Sequence, residues 1–446
     1  MRPTTLLLAA AISLDWHIAA AQGAPRSSMG PMPMTGTAAL PLGVPMSRVG
    51  PGTSWLPDSA REPNATFDLH GWNVMVGGSA FGQYDRQAGL HGGTQWGDVD
   101  WEMAMAMHAL AGGTARVELM TSFEALADGP RGYPELLETG GAYRGFRIVD
   151  HEHPNDLLMA LAGAYDRPLT SNLAWSVYGG AVGEPALGPV YYEHRPSAAG
   201  DPFAPIGHHW QDASHEAFGV VTAGLYTHAV KVEGSAFNAR EPDAYHFNLD
   251  YAGARLDSYA GRVTVNPVGA VSLSAWGGYL FDHDPLERGL GMQRYGASVL
   301  TSTAGLGGGS WSNSIVWGLN IHHHGDREHV HDPNAPIPTH HLGASGLVES
   351  KLELGRRNAV FVRLEQVQKN GDDLGFLADN LTQLFTILEI AGGATHELAS
   401  ARGLSFDAGA RASVELLPAT LELTYRTRHP AGFDLYVRLR PERAAR

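Results

Sequence analysis

Residues 99–108 read Val-Asp-Trp-Glu-Met-Ala-Met-Ala-Met-His, and this stretch decides the fold class. Large apolar residues occupy every second position, while the positions between them are acidic, small or polar. Successive side chains of a strand point to opposite faces, so this period of two predicts a β-strand with one apolar face. The alternation recurs along the chain, at residues 69–84, 115–123, 218–226, 230–238, 256–265, 271–279, 312–320, 360–368, 413–427 and 433–439.

The connections between these segments alternate between short turns containing Gly or Pro and long polar loops. The long loops lie at about 130–150, 184–214, 239–252, 282–291 and 323–342. Alternating strands with short turns at one end and long loops at the other are typical of transmembrane β-barrels. We therefore predict an all-β fold, an antiparallel transmembrane β-barrel over residues 67–446, with roughly 14–16 strands and long His-rich loops on one side. The apolar strand faces are expected to meet lipid.

The composition excludes several classes of protein. Only 17% of the 446 residues are charged and the formal net charge is −15, so the chain lacks the basic face that nucleic-acid binding requires. The absence of cysteine excludes disulfide scaffolds, thiolate zinc sites and iron–sulfur clusters. Against that absence stand 22 histidines. Transition-metal binding would therefore use imidazole, carboxylate or thioether ligands.

The N-terminal region predicts export. Residues 1–21 combine Arg2, an apolar run and a final Ala-Ala-Ala, which is the order of a signal peptide. Residues 22–66 are rich in Pro, Gly and Met, and we expect them to form a flexible arm. An outer-membrane location follows for the barrel. The expected partners are the lipid bilayer of the outer membrane, the barrel-assembly machinery during insertion, and metal ions, with no nucleic acid.

Histidines and acidic residues concentrate in the predicted loops. In an extended segment His-x-His points two imidazoles the same way, which suits chelation of an ion such as Cu or Zn. The alternative is a polar plug in which the same side chains hydrogen-bond to one another and to Arg195. The cluster around residue 322 could equally be a solvated or pH-sensitive loop. The candidate metal ligands are His151, His153, Asp156, His194, His208, His209, Asp212, His215, His322 and His324.

Catalytic motifs are scarce. The sequence contains no Gly-x-Ser-x-Gly elbow, phosphate-binding loop or His-Glu-x-x-His motif, and we predict that the protein is not an enzyme. A secreted, soluble β-rich metallohydrolase stays open as an alternative, with His208, His215 and Asp212 holding a zinc ion and a water. A soluble sandwich or propeller is the competing fold. A propeller, however, would show a repeat of about 40–50 residues, which is not found.

Several short phrases, spread from residue 45 to residue 320, occur together in this chain. They are Pro45-Met46-Ser47-Arg48, residues 52–59 (Gly-Thr-Ser-Trp-Leu-Pro-Asp-Ser), Asp150-x-x-His153-Pro154, residues 183–189 (Gly-Glu-Pro-Ala-Leu-Gly-Pro), residues 194–198 (His-Arg-Pro-Ser-Ala), residues 205–212 (Pro-Ile-Gly-His-His-Trp-Gln-Asp), residues 233–242, residues 256–259 and Trp317-Gly318-x-Asn320. The chain resembles, through these phrases, an uncharacterised bacterial family of barrel-like outer-membrane envelope proteins associated with heavy-metal handling, especially of copper.

This resemblance implies a barrel with a role in copper handling, without an established activity. The chain departs from the family pattern at two places, with Asn155 where the family has His and Glu193 where it often has Met. Each departure removes a ligand for a soft metal. We predict a barrel involved in transition-metal tolerance or passage through its His-rich loops, and a general porin or structural barrel with a His/Arg plug is the alternative.

Overall fold

A closed antiparallel β-barrel forms the wall of the protein in the computed structural model. The structure describes residues 40–212, 216–251, 255–286, 289–323, 340–376 and 383–442. Counted over these residues, 16 strands form the closed wall, each paired antiparallel with its neighbours, and one further short strand at the N-terminal side joins the same sheet. The all-β fold class and the strand number predicted from the sequence are confirmed.

The strands are β1 (Asn64–Leu69), β2 (Trp72–Gln87), β3 (Thr94–Leu110), β4 (Gly113–Thr121), β5 (Tyr133–Tyr143), β6 (Phe146–Glu152), β7 (Leu158–Pro168), β8 (Ala174–Val182), β9 (Val220–Tyr226), β10 (Val230–Phe237), β11 (Ser258–Val268), β12 (Val271–Phe281), β13 (Gly291–Ala304), β14 (Ser310–His323), β15 (His340–Leu354), β16 (Asn358–Lys369), β17 (Phe385–Ala401), β18 (Leu404–Leu416) and β19 (Ala431–Pro441).

Short helices lie outside these strands. Two α-helical turns are α1 (Glu124–Ala127) and α2 (Glu422–Tyr425), and the 3-10 turns are Pro41–Gly43, Met46–Arg48, Tyr192–His194, His208–Trp210 and Ala419–Leu421. The strand predicted over residues 413–427 is therefore wrong beyond Leu416, because helical turns replace it there. Among the described residues, no helix is both long and apolar enough to cross a membrane.

The seam of the barrel lies on β2. Strand β19 pairs with its C-terminal half, from Leu439 opposite Ala80 to Gly432 opposite Gln87. The N-terminal half of the same edge pairs with β1 instead, from Asn64 opposite Gly77 to Leu69 opposite Trp72. Two strands from opposite ends of the barrel sequence thus share one edge of β2 and complete the wall.

The two ends of the barrel differ as predicted. Turns of two to five residues, such as Ala111–Gly112 and Arg402–Gly403, join strands at one end, called here the short-turn end. The other end carries the long connections, called here the long-loop end. Those connections are residues 88–93, 122–157, 183–219, 238–257, 282–290, 324–339, 370–384 and 417–430.

Side chains alternate between an apolar exterior and a polar interior along most wall strands. On β16, Val360, Val362 and Leu364 are exposed, whereas Arg363 and Glu365, at the alternate positions, are buried toward the lumen. Strands β4, β10 and β19 follow the same rule. This is the arrangement of a barrel that meets lipid outside and polar groups inside.

Strand β3 reverses that orientation. The apolar register of residues 99–108 faces the lumen, and Met103, Met105 and Met107 are buried there with Leu40 and Trp55. The expectation that this apolar face meets lipid is therefore wrong. The N-terminal segment causes this reversed orientation of β3, because it supplies an apolar surface inside the barrel. The exterior of β3 carries Ala104 and Ala106 instead, beside exposed residues of β4.

The flexible arm predicted over residues 22–66 is wrong for residues 40–66. Residues 40–63 line the lumen toward the short-turn end, and β1 begins at Asn64. Arg48 is 1% exposed, and Lys231 donates a hydrogen bond to the carbonyl of Thr53 at 2.5 Å. Wall side chains fix this segment because its backbone groups are hydrogen-bonded to them. The predicted signal peptide, residues 1–21, and residues 22–39 lie outside the described residues.

Three segments fill the lumen, and together they are called here the plug. They are the N-terminal segment (40–63), the hairpin segment (122–157, with β5 and β6) and the β8–β9 loop (183–219, of which 213–215 lie outside the described residues). The predicted long loops 130–150 and 184–214 therefore leave the barrel at the predicted end, and their described residues fold into the lumen. Arg195, 0% exposed, illustrates this, because it pairs with Glu349 of the wall at 2.9 Å.

Candidate metal centre

His208 and His209 lie on a single 3-10 turn of the β8–β9 loop, which the wall holds from several sides. The amides of Ile206 and Gly207 donate hydrogen bonds to Glu365 at 3.3 and 3.2 Å. The Arg294 guanidinium donates to the carbonyls of His209 and Asp212. Because strands β13 and β16 both fix the turn, the two imidazoles project in set directions into the plug.

Glu138 and Glu152 come from the hairpin segment, which lies against this turn. Leu137 has a left-handed backbone (φ 65°), which non-glycine residues rarely adopt. Its amide donates a hydrogen bond to Asp150 Oδ1 at 2.7 Å. The pairing of β5 with β6 shifts register between Pro134 and Thr139. Backbone strain of this kind concentrates at functional sites, and here it aims Glu138 at the histidines.

The four side chains converge on one point. His208 Nε2 lies 3.4 Å from Glu152 Oε2 and 3.8 Å from Glu138 Oε1, and His209 Nε2 lies 3.8 Å from the same Glu138 oxygen. One donor atom from each residue lies within 4.8 Å of the others. A tetrahedral ion with bonds of about 2.1 Å spaces its donors by about 3.4 Å. The spacing is therefore close to that of a bound metal ion.

Gly140 makes room for one of the ligands. A Cβ atom at this position would overlap His209 Nε2. Any larger residue would therefore move the His209 ring or the β5 backbone. The site needs glycine here because the imidazole approaches the strand backbone directly.

The charges of the cluster are divided unequally between its histidines. Burial alone would lower the pKa of His208, but the carboxylates of Glu152, Asp212 and Glu138 outweigh it and raise that pKa to about 9. Burial and the neighbouring His208 lower the pKa of His209 well below its usual value. His209 is thus neutral, and its Nε2 has no hydrogen-bond partner among the described residues. A neutral, unpaired imidazole nitrogen is a competent metal ligand.

A cation of the wall also reaches this site. Lys369 Nζ lies 3.7 Å from Glu138 Oε2 and donates to Thr139 Oγ1 at 3.0 Å. Burial raises the pKa of Glu138 to about 8, with Lys369 acting in the opposite direction. Positive charge of the wall therefore lies beside the two carboxylates of the cluster.

The predicted ligands divide into three groups. His208 and His209 belong to the cluster, and His153 and Asp212 border it, each with an atom 3.9 Å from one of its members. Asp156 binds His246 instead, at 2.8 Å. His151 and His194 also lie apart: His151 contacts the carbonyl of Val149 at 3.4 Å, and the His194 ring packs on Trp101.

The remaining predicted ligands lie in a wall strand or outside the described residues. His322 lies in β14 opposite His341, outside the four-residue cluster. His215 and His324 lie outside the described residues. Sequence reasoning missed Glu138 and Glu152. Glu152 stands inside the histidine-rich stretch 150–156 that drew attention to this region, whereas no motif marks Glu138.

His194 gives a test of the plug interior at low pH. Burial lowers its pKa to about 3, against about 6.5 in an unfolded chain. The folded protein thus binds this proton less readily than the unfolded chain, so the stability contribution is complete above pH 6.5 and lost as the pH falls toward 3. We expect acidification from pH 7 to pH 5 to cost about 2 kcal/mol more in the wild type than in His194→Phe.

Unfolding of the two proteins by denaturant in detergent, at both pH values, measures this difference. Identical pH dependence in wild type and His194→Phe would show that His194 is protonated freely in the folded plug. A histidine NMR titration checks the pKa directly, because His194 should stay neutral at pH 5.

Comparison with known proteins finds only distant structural similarity. No family model and no curated protein matches the chain. Solved structures with a similar architecture include OmpF of Salmonella typhi in complex with daunomycin (8% identity, 84% of this chain and 100% of that chain, TM-score 0.49). Others are the anion-selective porin from Comamonas acidovorans (11%, 83% and 99%, 0.43) and OmpT of Vibrio cholerae (7%, 84% and 100%, 0.43). The barrel fold itself rests on the strand pairing of this chain, and its function must be argued from its own residues.

Proposed function

We propose that the protein is an outer-membrane β-barrel whose plug binds one divalent transition-metal ion at Glu138, Glu152, His208 and His209. The observation that carries this proposal is the convergence of the four donor atoms within 4.8 Å. The four residues belong to two separate plug segments. A bound ion would therefore tie the hairpin segment to the β8–β9 loop, in addition to the contacts that each makes with the wall.

The apolar exterior supports the membrane part of the proposal. The wall strands carry exposed Val, Leu, Ile and aromatic residues on their outer face. Such a face suits contact with the lipid bilayer of the outer membrane and insertion by the barrel-assembly machinery. Long loops of such barrels usually face the exterior. The metal centre would then lie toward the outer mouth, where a role in metal tolerance or uptake begins with capture of the ion.

The donor set favours certain ions. Two imidazoles with two carboxylates, without a thiolate or thioether, suit Zn²⁺ and Cu²⁺ better than the soft Cu⁺. Copper handling stays a prediction from the family resemblance, and the absence of enzymatic activity stays a prediction from the lack of catalytic motifs. A general open porin is less favoured, because the plug occupies the lumen. A purely structural plug is the second candidate, since the His208 imidazolium already neutralises carboxylates around it.

Metal binding can be measured by titration calorimetry of the detergent-solubilised protein with Zn²⁺ and Cu²⁺. We expect His209→Ala to weaken binding more than about 100-fold, because loss of a direct ligand should exceed the 10–100-fold effect of outer-shell changes. Gly140→Ala should also weaken it, since its single added methyl group occupies the space of His209 Nε2. His151→Ala is the matched control and should bind as the wild type does.

The outcomes separate the two candidates. Binding that is the same in wild type, Gly140→Ala and His209→Ala would reject the metal centre. Absence of tight binding in the wild type, with an intact fold shown by heat-modifiable gel migration, would favour the structural plug.

A further inference from the structure

Both histidines of the metal centre turn the same ring nitrogen toward the carboxylates of the cluster. His208 Nε2 faces Glu152 and Glu138, and His209 Nε2 faces Glu138. The Nδ1 atom of each ring is therefore turned away from the point where the four side chains converge. The groups that meet Nδ1 decide which tautomer each imidazole adopts, because a ring nitrogen can bind a metal ion only when it carries no proton.

A carboxyl group outside the cluster faces Nδ1 of each histidine. Asp212 Oδ1 lies 3.9 Å from His208 Nδ1, and Glu241 Oε1 lies 3.9 Å from His209 Nδ1. Neither carboxyl group belongs to the four-residue cluster. Histidines that ligate metal ions usually donate their other ring N–H to a carboxylate, a carbonyl or a water, which fixes the tautomer and the ring orientation. The structure places a carboxyl group for this purpose beside each of the two imidazoles.

The fold holds Asp212 one helical turn after His208. Its amide donates a hydrogen bond to the His208 carbonyl at 3.0 Å, and its own carbonyl accepts one from the Arg294 guanidinium. The side chain is buried, and its Oδ2 has no hydrogen-bond partner among the described residues. Because the backbone is fixed at both bonds, the carboxyl group stays on the Nδ1 side of the His208 ring.

Glu241 reaches the cluster from the β10–β11 connection, where His283 of the β12–β13 connection holds it at two points. The His283 carbonyl accepts a hydrogen bond from the Glu241 amide at 3.1 Å, and His283 Nε2 lies 3.3 Å from Glu241 Oε1. His283 Nδ1 in turn donates to the carbonyl of Ala239 at 2.8 Å, which fixes the His283 ring. Residues outside the cluster therefore position Glu241 for His209.

The two contacts at Nδ1 are slightly longer than a hydrogen bond. A cation on Nε2 would make the Nδ1 proton a stronger donor, and hydrogen bonds between charged groups are shorter and stronger than neutral ones. Hydrogen bonds at functional sites are often long before the ligand binds and tighten in the complex. The spacing therefore suits two hydrogen bonds that form fully when an ion is bound.

We propose that Asp212 and Glu241 are positioning residues of the metal centre, which hold His208 and His209 with a proton on Nδ1 and with Nε2 turned to the ion. This inference rests on the proposed function and adds the β10–β11 connection to the segments that the site joins. It also gives Asp212, a candidate ligand from the sequence, a different role, in which its carboxyl group acts on the ion through His208.

Titration calorimetry of the full chain in detergent with Cu²⁺ is the first test. Asp212→Asn and Glu241→Gln keep the side-chain volume but remove the charge, and each should weaken Cu²⁺ binding about 10–100-fold. Asp156→Asn is the matched control and should bind as the wild type does, because the Asp156 carboxyl group pairs with His246 at 2.8 Å outside the cluster.

Double variants distinguish a positioning residue from a ligand. Once His209→Ala has removed the ring, Glu241→Gln should change the remaining affinity less than about twofold, because its effect passes through that ring. Asp212→Asn should likewise have little effect in the His208→Ala background.

Pulsed EPR of the Cu²⁺-loaded protein observes the hydrogen bonds directly. The echo modulation arises from the nitrogen of each bound imidazole that does not touch the ion, here Nδ1, and its quadrupole coupling depends on the hydrogen bond that this N–H donates. At saturating Cu²⁺, Asp212→Asn and Glu241→Gln should each shift the signal of one imidazole. Asp156→Asn should reproduce the wild-type spectrum.

The proposed function and this inference fail differently. A wild type that binds no Cu²⁺ overturns the metal centre itself. Cu²⁺ binding with the same affinity and echo modulation in wild type, Asp212→Asn and Glu241→Gln leaves the centre standing and overturns the positioning role. A loss of affinity in Asp212→Asn that persists undiminished in the His208→Ala background would make Asp212 a ligand and overturn its role through His208.

Discussion

Removal of residues 184–212 should turn a barrel of low conductance into an open pore. This segment crosses the lumen and contacts wall strands on several sides, through Arg195 to Glu349, Ala186 to Ser235 and Tyr436 to Gly200. Barrels with about 16 strands are wide enough for an aqueous channel, and loss of this segment, the one of the three plug segments that crosses the lumen at the metal centre, opens part of that width. We therefore expect single-channel conductance in planar bilayers to rise at least about tenfold over the wild type.

Because the chain has no cysteine, an introduced cysteine pair can serve as the matching control. Ser197 of the β8–β9 loop and Ser314 of β14 have hydroxyl oxygens 2.6 Å apart, so the double variant Ser197→Cys, Ser314→Cys should form a disulfide that keeps the loop in place. The oxidised variant should conduct as little as the wild type. Two results together would contradict the plugged lumen. The wild type would conduct like the deletion variant, and the cysteine pair would not crosslink.

The second large effect concerns Glu349, which joins the plug to the wall. Its carboxylate accepts two hydrogen bonds from Arg195, at 2.9 and 3.0 Å, and one from Arg363 at 3.2 Å. All three side chains are buried. Glu349→Ala would leave two guanidinium groups buried without this counter-charge, and removing one partner of a buried ion pair costs about 3–5 kcal/mol.

The destabilisation should appear first as release of the plug. Limited proteolysis of outer-membrane vesicles should cleave the β8–β9 loop in Glu349→Ala much faster than in the wild type, and the unfolding temperature in detergent should fall. Val348→Ala, on the exposed face of the same strand, is the control and should change neither. Equal protease resistance of Glu349→Ala and wild type would mean that other contacts hold the loop.

The sequence predicts the wall of the barrel well because each strand carries its own signal. The period of two in Val360, Val362 and Leu364 can be recognised from the local sequence alone. This pattern cannot show which face of a strand points into the barrel when the lumen contains an apolar surface. The apolar face of β3 points inward for that reason. The Pro- and Gly-rich segment 40–63 has no periodic pattern. Its order could not be predicted because it depends on hydrogen bonds to strands far along the chain.

The metal centre was half predictable. His208 and His209 stand together in a polar loop, and neighbouring imidazoles are a recognisable compositional signal. Glu138 is surrounded by Leu, Thr and Gly, and only the left-handed backbone of Leu137 and the register shift of the hairpin bring it to the histidines. His151 and His194 show the converse. They have the right residue type, but the hairpin and Trp101 turn them to other contacts.

The seam on β2 has a consequence for the order of assembly. Strand β19 ends the barrel sequence, and its pairing with β2 joins segments that are among the most widely separated in the chain. Contacts between such distant segments form late, because the entropy of closing the intervening chain must be overcome first. Once that ring is complete, the β8–β9 loop could reach its place only by threading through an end of a closed cylinder. We therefore expect the loop to be enclosed as the last strand pairs with the first, so that ordering of the plug and closure of the wall form a single kinetic step.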